Sequence, residues 1–178
     1  ILPILIEENL PSELFYIAVK ASGLNPDAKS NAAAVGLWQF IQPTAKQYGL
    51  KIDYYIDERK DIEKSTRAAA QYLKELYEEF GDWYLALAAY NGGKSRLREH
   101  INFGRMLGYG NPPYEFWDLV PNNTHQAAGL PKETRDYIPS ILALILISRN
   151  PAKYGFDIVE HEKYNWKYVE INKTVTFD

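Results

Sequence analysis

A chain of 178 residues, 46% of them hydrophobic, is long enough for one domain with a substantial core. A formal net charge of −3 and the lack of any basic run exclude a nucleic-acid backbone as partner, and the lack of cysteine removes disulfides and thiolate metal sites. The three histidines, His100, His125 and His161, lie far apart without ligand spacing, so neither a metal nor another cofactor is expected.

The chain starts at Ile1 without Met or a charged-then-apolar leader, as a mature or trimmed fragment would. Leu2, Leu5 and Ile6 fit one face of a short helix within Ile1 to Asn9. Pro11 suits the start of a second helix, because it has no N–H to leave unpaired. Leu14, Ile17, Ala18 and Ala21 then form one apolar stripe, and Gly23 can take the left-handed conformation that closes a helix. Asn25-Pro26-Asp27 turns the chain, and the run from Ser30 to Val35 is nearly all small. In Gly36-Leu37-Trp38-Gln39-Phe40 an amide stands between two aromatics, a pairing that suits a sugar, whose hydroxyls need bonds and whose C–H faces need flat apolar surfaces.

Pro43 opens a helix that Gly49 ends, and Lys51 to Lys60 reads as a surface connection. Asp61 caps the next helix, with Ile62, Ala69, Leu73, Leu76 and Phe80 at helical intervals up to Gly81; Lys74, Glu75, Glu78 and Glu79 read as its solvated face. Asp82 caps a further helix from Trp83 to Tyr90, broken at Asn91-Gly92-Gly93. The commonest job of an Asn at such a place is to cap a turn. Lys94 to Phe103 forms a helix with Leu97 and Ile101 inward, and Gly104 to Asn123 an irregular aromatic-rich stretch that is either a lid or a packed connection. The last long helix begins around Glu133, with Pro139 marking a kink or fresh start. Ile141 to Ile147 is the longest apolar run, far short of the roughly 20 residues a bilayer needs, so a helix buried on most sides is expected. From Phe156 onward Val169, Ile171, Val175 and Phe177 alternate with polar residues, which predicts a β-hairpin.

Four ordered pieces carry a resemblance: Ser22-Gly23-Leu24-Asn25-Pro26 with Ser30; Gly36-Leu37-Trp38-Gln39 followed by Pro43-Thr44 through Tyr48-Gly49-Leu50; Ala89-Tyr90-Asn91; and Leu130-Pro131-Lys132-Glu133-Thr134-Arg135-Asp136-Tyr137-Ile138-Pro139. In this order and spacing the chain resembles the lytic transglycosylases related to goose-type lysozyme, nearest the membrane-bound lytic murein transglycosylase D group. The resemblance implies a mainly α lysozyme-like domain over residues 1–155, with a short β extension over 156–178. It also implies cleavage, without water, of the β-1,4 bond between N-acetylmuramic acid and N-acetylglucosamine in peptidoglycan, giving 1,6-anhydro products. The implied partners are peptidoglycan strands or chito-oligosaccharides bound by a monomer in the bacterial periplasm or cell envelope, with outer-membrane association in a longer protein.

The substrate-binding residues implied are Ser22, Ser30, Trp38, Gln39, Phe40, Tyr90, Asn91, Glu133 and Tyr137. On its own composition Glu133 is equally a first-turn acid answering the helix dipole. The family's general acid is the Glu just before the motif Ser, and here that position is Ala21. A methyl group can neither donate nor accept a proton, so the chain as it stands is expected to be inactive. Either the position carries a Glu-to-Ala change or the protein is a natural non-catalytic glycan binder. The intact neighbouring motifs favour the first.

Overall fold

The regular alternation of apolar and polar residues along the chain becomes a stack of helices around one Ala- and Leu-rich hairpin. A computed structural model describes residues 1–108, 115–120 and 129–157. In chain order its α-helices are α1 (Leu2–Glu7), α2 (Phe15–Ser22, entered through a 3-10 turn at Ser12–Leu14), α3 (Gln42–Gln47), α4 (Ile62–Phe80), α5 (Trp83–Gly92), α6 (Lys94–Met106) and α7 (Lys132–Arg149).

The hairpin is α4 and α5. Asp61 accepts from the Lys64 amide at 2.8 Å to start α4, Gly81 ends it at φ +70°, and Asp82 accepts from the Leu85 amide at 2.8 Å to start α5. Caps of this kind stabilise by about 1 kcal/mol each. Ala68, Ala69, Ala70, Leu73 and Leu76 of α4 are buried, as is every residue of α5 from Leu85 to Ala89. Small side chains on both helices let the axes approach, while each buried Leu contributes roughly 1.5–3 kcal/mol. α1 packs on α4, α6 on α5, and α7 on both α2 and α5. The α7 crossing brings Thr134 so near Gly92 that an added Cβ there would stand 2.9 Å from the Thr134 Oγ1.

Several expectations are corrected. In α1 only Leu5 is buried, while Leu2 is exposed and Ile6 is 65% exposed, because a six-residue helix against one neighbour covers a single line of contact. The charges of α4 are more than a solvated face: Lys74 pairs with Glu8 just after α1, and Glu75 and Glu79 pair with Lys94 and Arg98 of α6. Half-exposed pairs are worth about 0–1 kcal/mol each, so they orient the helices more than they hold them. Ile62, placed in the apolar stripe, is exposed in the first turn of α4. Pro139 starts no new helix; α7 runs through it, with the ring exposed and the Ser140 hydroxyl donating to the Asp136 carbonyl at 2.7 Å. The Ile141–Ile147 run is only half covered: Ile141 is buried but Leu146 is 56% exposed. Gly104 is not in a loop but in α6, where it faces Leu119 of a 3-10 turn at Phe116–Leu119.

The domain is mainly α-helical. Its only β pairings among the described residues are the isolated bridges Lys29–Val35, Val35–Phe40 and Ile52–Asp57. The alternating tail expected as a β-hairpin lies, from residue 158, outside the described residues. Among the described residues no helix is long and apolar enough to cross a membrane.

Candidate functional site

The end of α2 opens onto a cleft of about 680 Å³ whose wall is the irregular chain from Leu24 to Phe40. Gly23 closes the helix at φ +60°, and the Ser22 Oγ is shared between the Ala18 carbonyl at 3.0 Å and the Leu37 carbonyl at 2.9 Å. That hydroxyl staples the helix end to the wall. Further along, the Asn25 Oδ1 accepts from the Asp27 amide at 2.9 Å, and the Ser30 Oγ accepts from the amides of Ala32 and Ala34 at 3.2 and 3.1 Å. With both bonds accepted, the Ser30 hydroxyl hydrogen is left for a partner outside the turn.

The wall is strained. Leu24, Ala33 and Gln39 have φ of +63°, +59° and +51°, a region costing a non-glycine residue about 1 kcal/mol or more. Gly36, at φ +84°, lies where a Cβ would stand 1.9 Å from the Arg59 carbonyl oxygen, so only glycine fits. The Gln39 Nε2 donates to the carbonyls of Gly36 at 2.8 Å and Ala28 at 3.2 Å, which holds the side-chain amide against the wall and leaves its oxygen uncommitted among the described residues.

α5 and α7 supply the floor and the opposite side. The Tyr90 hydroxyl donates to the Trp38 carbonyl at 2.9 Å, tying α5 to the wall, and its ring packs 5.4 Å from Tyr72 and 6.2 Å from Phe40. Burial pushes the Tyr72 hydroxyl up to about 12, with Glu75 and Glu79 adding to the shift, and raises those of Tyr90 and Tyr137 well above the usual phenol value. These tyrosines therefore stay neutral donors near pH 7. Asn91 lines the cleft with its Oδ1 buried and without a hydrogen-bond partner among the described residues. Through that atom it caps no turn, and a buried unpaired acceptor is a cost that a bound donor would remove. Lys20, Glu133 and Asp136 are the charged groups of the lining. Lys132 pairs with Asp136 and holds its carboxyl below the usual range, with a smaller pull from Lys20. Among the described residues no three of His, Cys, Asp and Glu gather as a metal site.

The cleft thus brings together Ala21, Ser30, Gln39, Tyr90, Asn91, Glu133 and Tyr137, drawn from α2, the wall, α5 and α7. Ser22 stands behind it as the staple. Trp38 and Phe40 border it, but not as the flat faces expected beside the amide. The indole is 0% exposed and donates from Nε1 to the Thr66 Oγ1 at 2.9 Å, and Phe40 is 3% exposed. Of the three, Gln39 alone is partly exposed, turned outward by its left-handed backbone.

Sequence reasoning missed Tyr72, Lys20, Thr44 and Asp136, all of which line the cleft. Tyr72 had a signal, since it lies three and four residues beyond Ala69 and Ala68 on the inward face of α4. It missed Arg59 as well, which is buried although Lys51 to Lys60 reads as surface. The sequence carries no sign of that, because its partners Ala33 and Phe40 are far away in the chain.

A helical domain with a cleft at the end of its second helix, lined by amide and hydroxyl groups, has the architecture of a lysozyme-like fold. The chain belongs to the Transglycosylase SLT domain family, whose pattern matches residues 5–105. It is 37% identical over 150 residues to membrane-bound lytic murein transglycosylase D of Escherichia coli (strain K12), covering 84% of this chain and 30% of that protein. The chain therefore spans under a third of that relative's length. It is also 39% identical over 176 residues to a protein of Alteromonas sp. (strain M-1) named for tributyltin chloride resistance, covering 94% of this chain and 82% of that one. Among solved structures it superposes on the lytic transglycosylase Slt of Pseudomonas aeruginosa, determined as an inactive Glu-to-Gln mutant, with a TM-score of 0.58. There the sequence identity is 23%, with 84% of this chain and 24% of that chain covered. At that identity the likeness speaks for the fold alone.

Proposed function

We propose that this domain binds the glycan strands of peptidoglycan in the α2 cleft, and that it is a lytic transglycosylase domain whose general acid position is occupied by Ala21. The observation that carries the reading is the convergence on one 680 Å³ cleft of Ala21 with Gln39, Asn91 and Tyr137, including a buried Asn91 oxygen that lacks a donor. An acetamido N–H is a donor of the right kind. The Ser30 hydroxyl and the free Gln39 oxygen suit sugar hydroxyls on the wall side, and Tyr137 suits the ring opposite.

In this reading a carboxyl at position 21 would protonate the glycosidic oxygen as the C–O bond breaks, and the leaving sugar departs as an alcohol. The resulting carboxylate then takes the proton of the sugar's own 6-hydroxyl as that oxygen attacks the anomeric carbon. The 1,6-anhydro ring closes, the carboxyl is regenerated and no water is consumed. Such an acid must begin protonated. Position 21 is in the last turn of α2, where unpaired carbonyls disfavour a negative charge, and it is partly buried beside Ala32 and Ala34. Lys20 pulls the other way, but from an exposed site.

Activity at the cell envelope, in the periplasm, follows from this substrate. Ala21 itself favours a second reading, a natural binding module with no bond cleavage. Calorimetric titration of the chain with chito-oligosaccharide tests the site common to both: binding is expected, and Asn91→Leu should weaken it about tenfold by leaving a sugar donor unpaired. Absence of binding, or binding indifferent to Asn91→Leu, would remove the cleft as the site.

A further inference from the structure

We propose that Arg59 is a positioning residue of the cleft, a buried clamp that sets the strained wall on which Ser30 and Gln39 stand. The role it serves rests on the glycan reading above; the clamp itself does not. Arg59 lies in the short 3-10 turn Glu58–Lys60, outside the cleft lining and far in sequence from the wall. Its NH1 donates to the Ala33 carbonyl at 3.2 Å and to the Phe40 carbonyl at 3.1 Å. Those two carbonyls bracket the second half of the wall: Ala33 has positive φ, and Phe40 follows Gln39, which has positive φ too. On its other side the guanidinium is held by Asp57, Nε to Oδ1 at 2.8 Å and NH2 to Oδ2 at 2.7 Å. The backbone of the same residue completes the contact, because its carbonyl oxygen fills the space that a Cβ on Gly36 would need.

One residue thus touches the wall at Ala33, Gly36 and Phe40. A backbone held in a sparsely populated conformation persists only where its surroundings over-determine it, and here Arg59 adds three contacts, two of them from its fork-shaped cation, to the Ser22 and Gln39 bonds. The chemistry selects Arg over Lys: two carbonyls and a bidentate carboxylate need several donors in one plane, and an ammonium is a point charge. Lys60, bonded to Asp27 near the start of the wall, ties the same segment from the neighbouring position. The Gln39 amide is the group most exposed to a failure of the clamp, since its own bonds run to Gly36 and Ala28 within the wall.

The test uses the chain as given and Arg59→Lys, with Leu97→Val in the core of α6 as a control of lowered stability remote from the wall. Amide hydrogen exchange reads the clamp directly. In Arg59→Lys the amides of Val35, Gly36 and Gln39, which bond within the wall, should exchange about tenfold faster relative to those of α4 and α5. Leu97→Val should leave that ratio alone. Chito-oligosaccharide titration reads the consequence: Kd should rise about tenfold in Arg59→Lys and stay unchanged in Leu97→Val. If wall exchange keeps its ratio in Arg59→Lys, or if Kd there follows the control, Arg59 is an ordinary structural residue and the proposal is overturned. If the parent chain binds no chito-oligosaccharide while wall exchange rises as expected, the glycan reading of the cleft fails and the clamp stands.

Discussion

The α4–α5 hairpin and the wall from Leu24 to Phe40 border the same cleft but are stabilised in opposite ways. The hairpin is regular, capped at both starts by Asp, and buried through many interchangeable contacts among Ala and Leu. The wall has no continuous regular structure, carries three non-glycine residues at positive φ and is fixed by a few single contacts: the Ser22 staple, the Gln39 amide, Gly36 and the Arg59 fork. Redundancy makes a frame tolerant. Single contacts make a wall exact in position and easy to break.

The largest global effect is expected in the frame. Leu73→Ala removes a fully buried side chain of α4 and should cost about 3–4 kcal/mol in urea denaturation, while the molecules that remain folded keep their affinity for chito-oligosaccharide. An equal loss of affinity would erase the distinction between frame and wall. Next comes Gly36→Ala, which forces the wall off the Arg59 carbonyl and should cost about 2–3 kcal/mol while abolishing binding. Retained affinity there would mean that the wall's position is unimportant.

Thr66→Val sharpens the comparison where frame and wall meet. It strips the buried Trp38 Nε1 of its acceptor in α4, and a loss of about 1–2 kcal/mol is expected in thermal denaturation. The smallest effect is one of pH. Arg59 holds the Asp57 carboxyl below its ordinary value of 3.8, so the pair's contribution is complete above that pH and fades as pH falls further, through the lowered value. Stability measured from neutral pH down to about pH 2 should therefore show an acid loss that Asp57→Asn makes shallower. An unaltered acid limb in Asp57→Asn would show that the Asp57–Arg59 pair adds nothing to stability.

The same contrast explains what could be read in advance. The frame was legible because helical period, Asp caps and closing glycines are local signals, and they mark α4 and α5 closely. At α2 they also marked the end, through Gly23, although the helix proper starts after a 3-10 turn at Ser12–Leu14. Of the cleft residues, Gln39 was legible from its place between two aromatics, whereas Ser30, Tyr90, Asn91, Glu133 and Tyr137 were legible only through a resemblance of motifs, since composition gives Asn91 a turn and Glu133 a helix dipole. What stayed illegible was orientation and long-range pairing. Nothing local says that Trp38 and Phe40 turn inward while Gln39 turns out, nor that Arg59, amid charged and exposed neighbours, reaches the carbonyls of Ala33 and Phe40.

That the cleft at the end of α2 is complete except for a proton donor is tested most directly by incubating the Ala21→Glu protein with purified peptidoglycan sacculi and separating the soluble products by chromatography with mass detection. Release of 1,6-anhydro-muropeptides by that variant, and none by the chain with Ala21, is the predicted result. A correctly folded Ala21→Glu protein that binds the glycan and releases nothing would contradict it and leave a binding module.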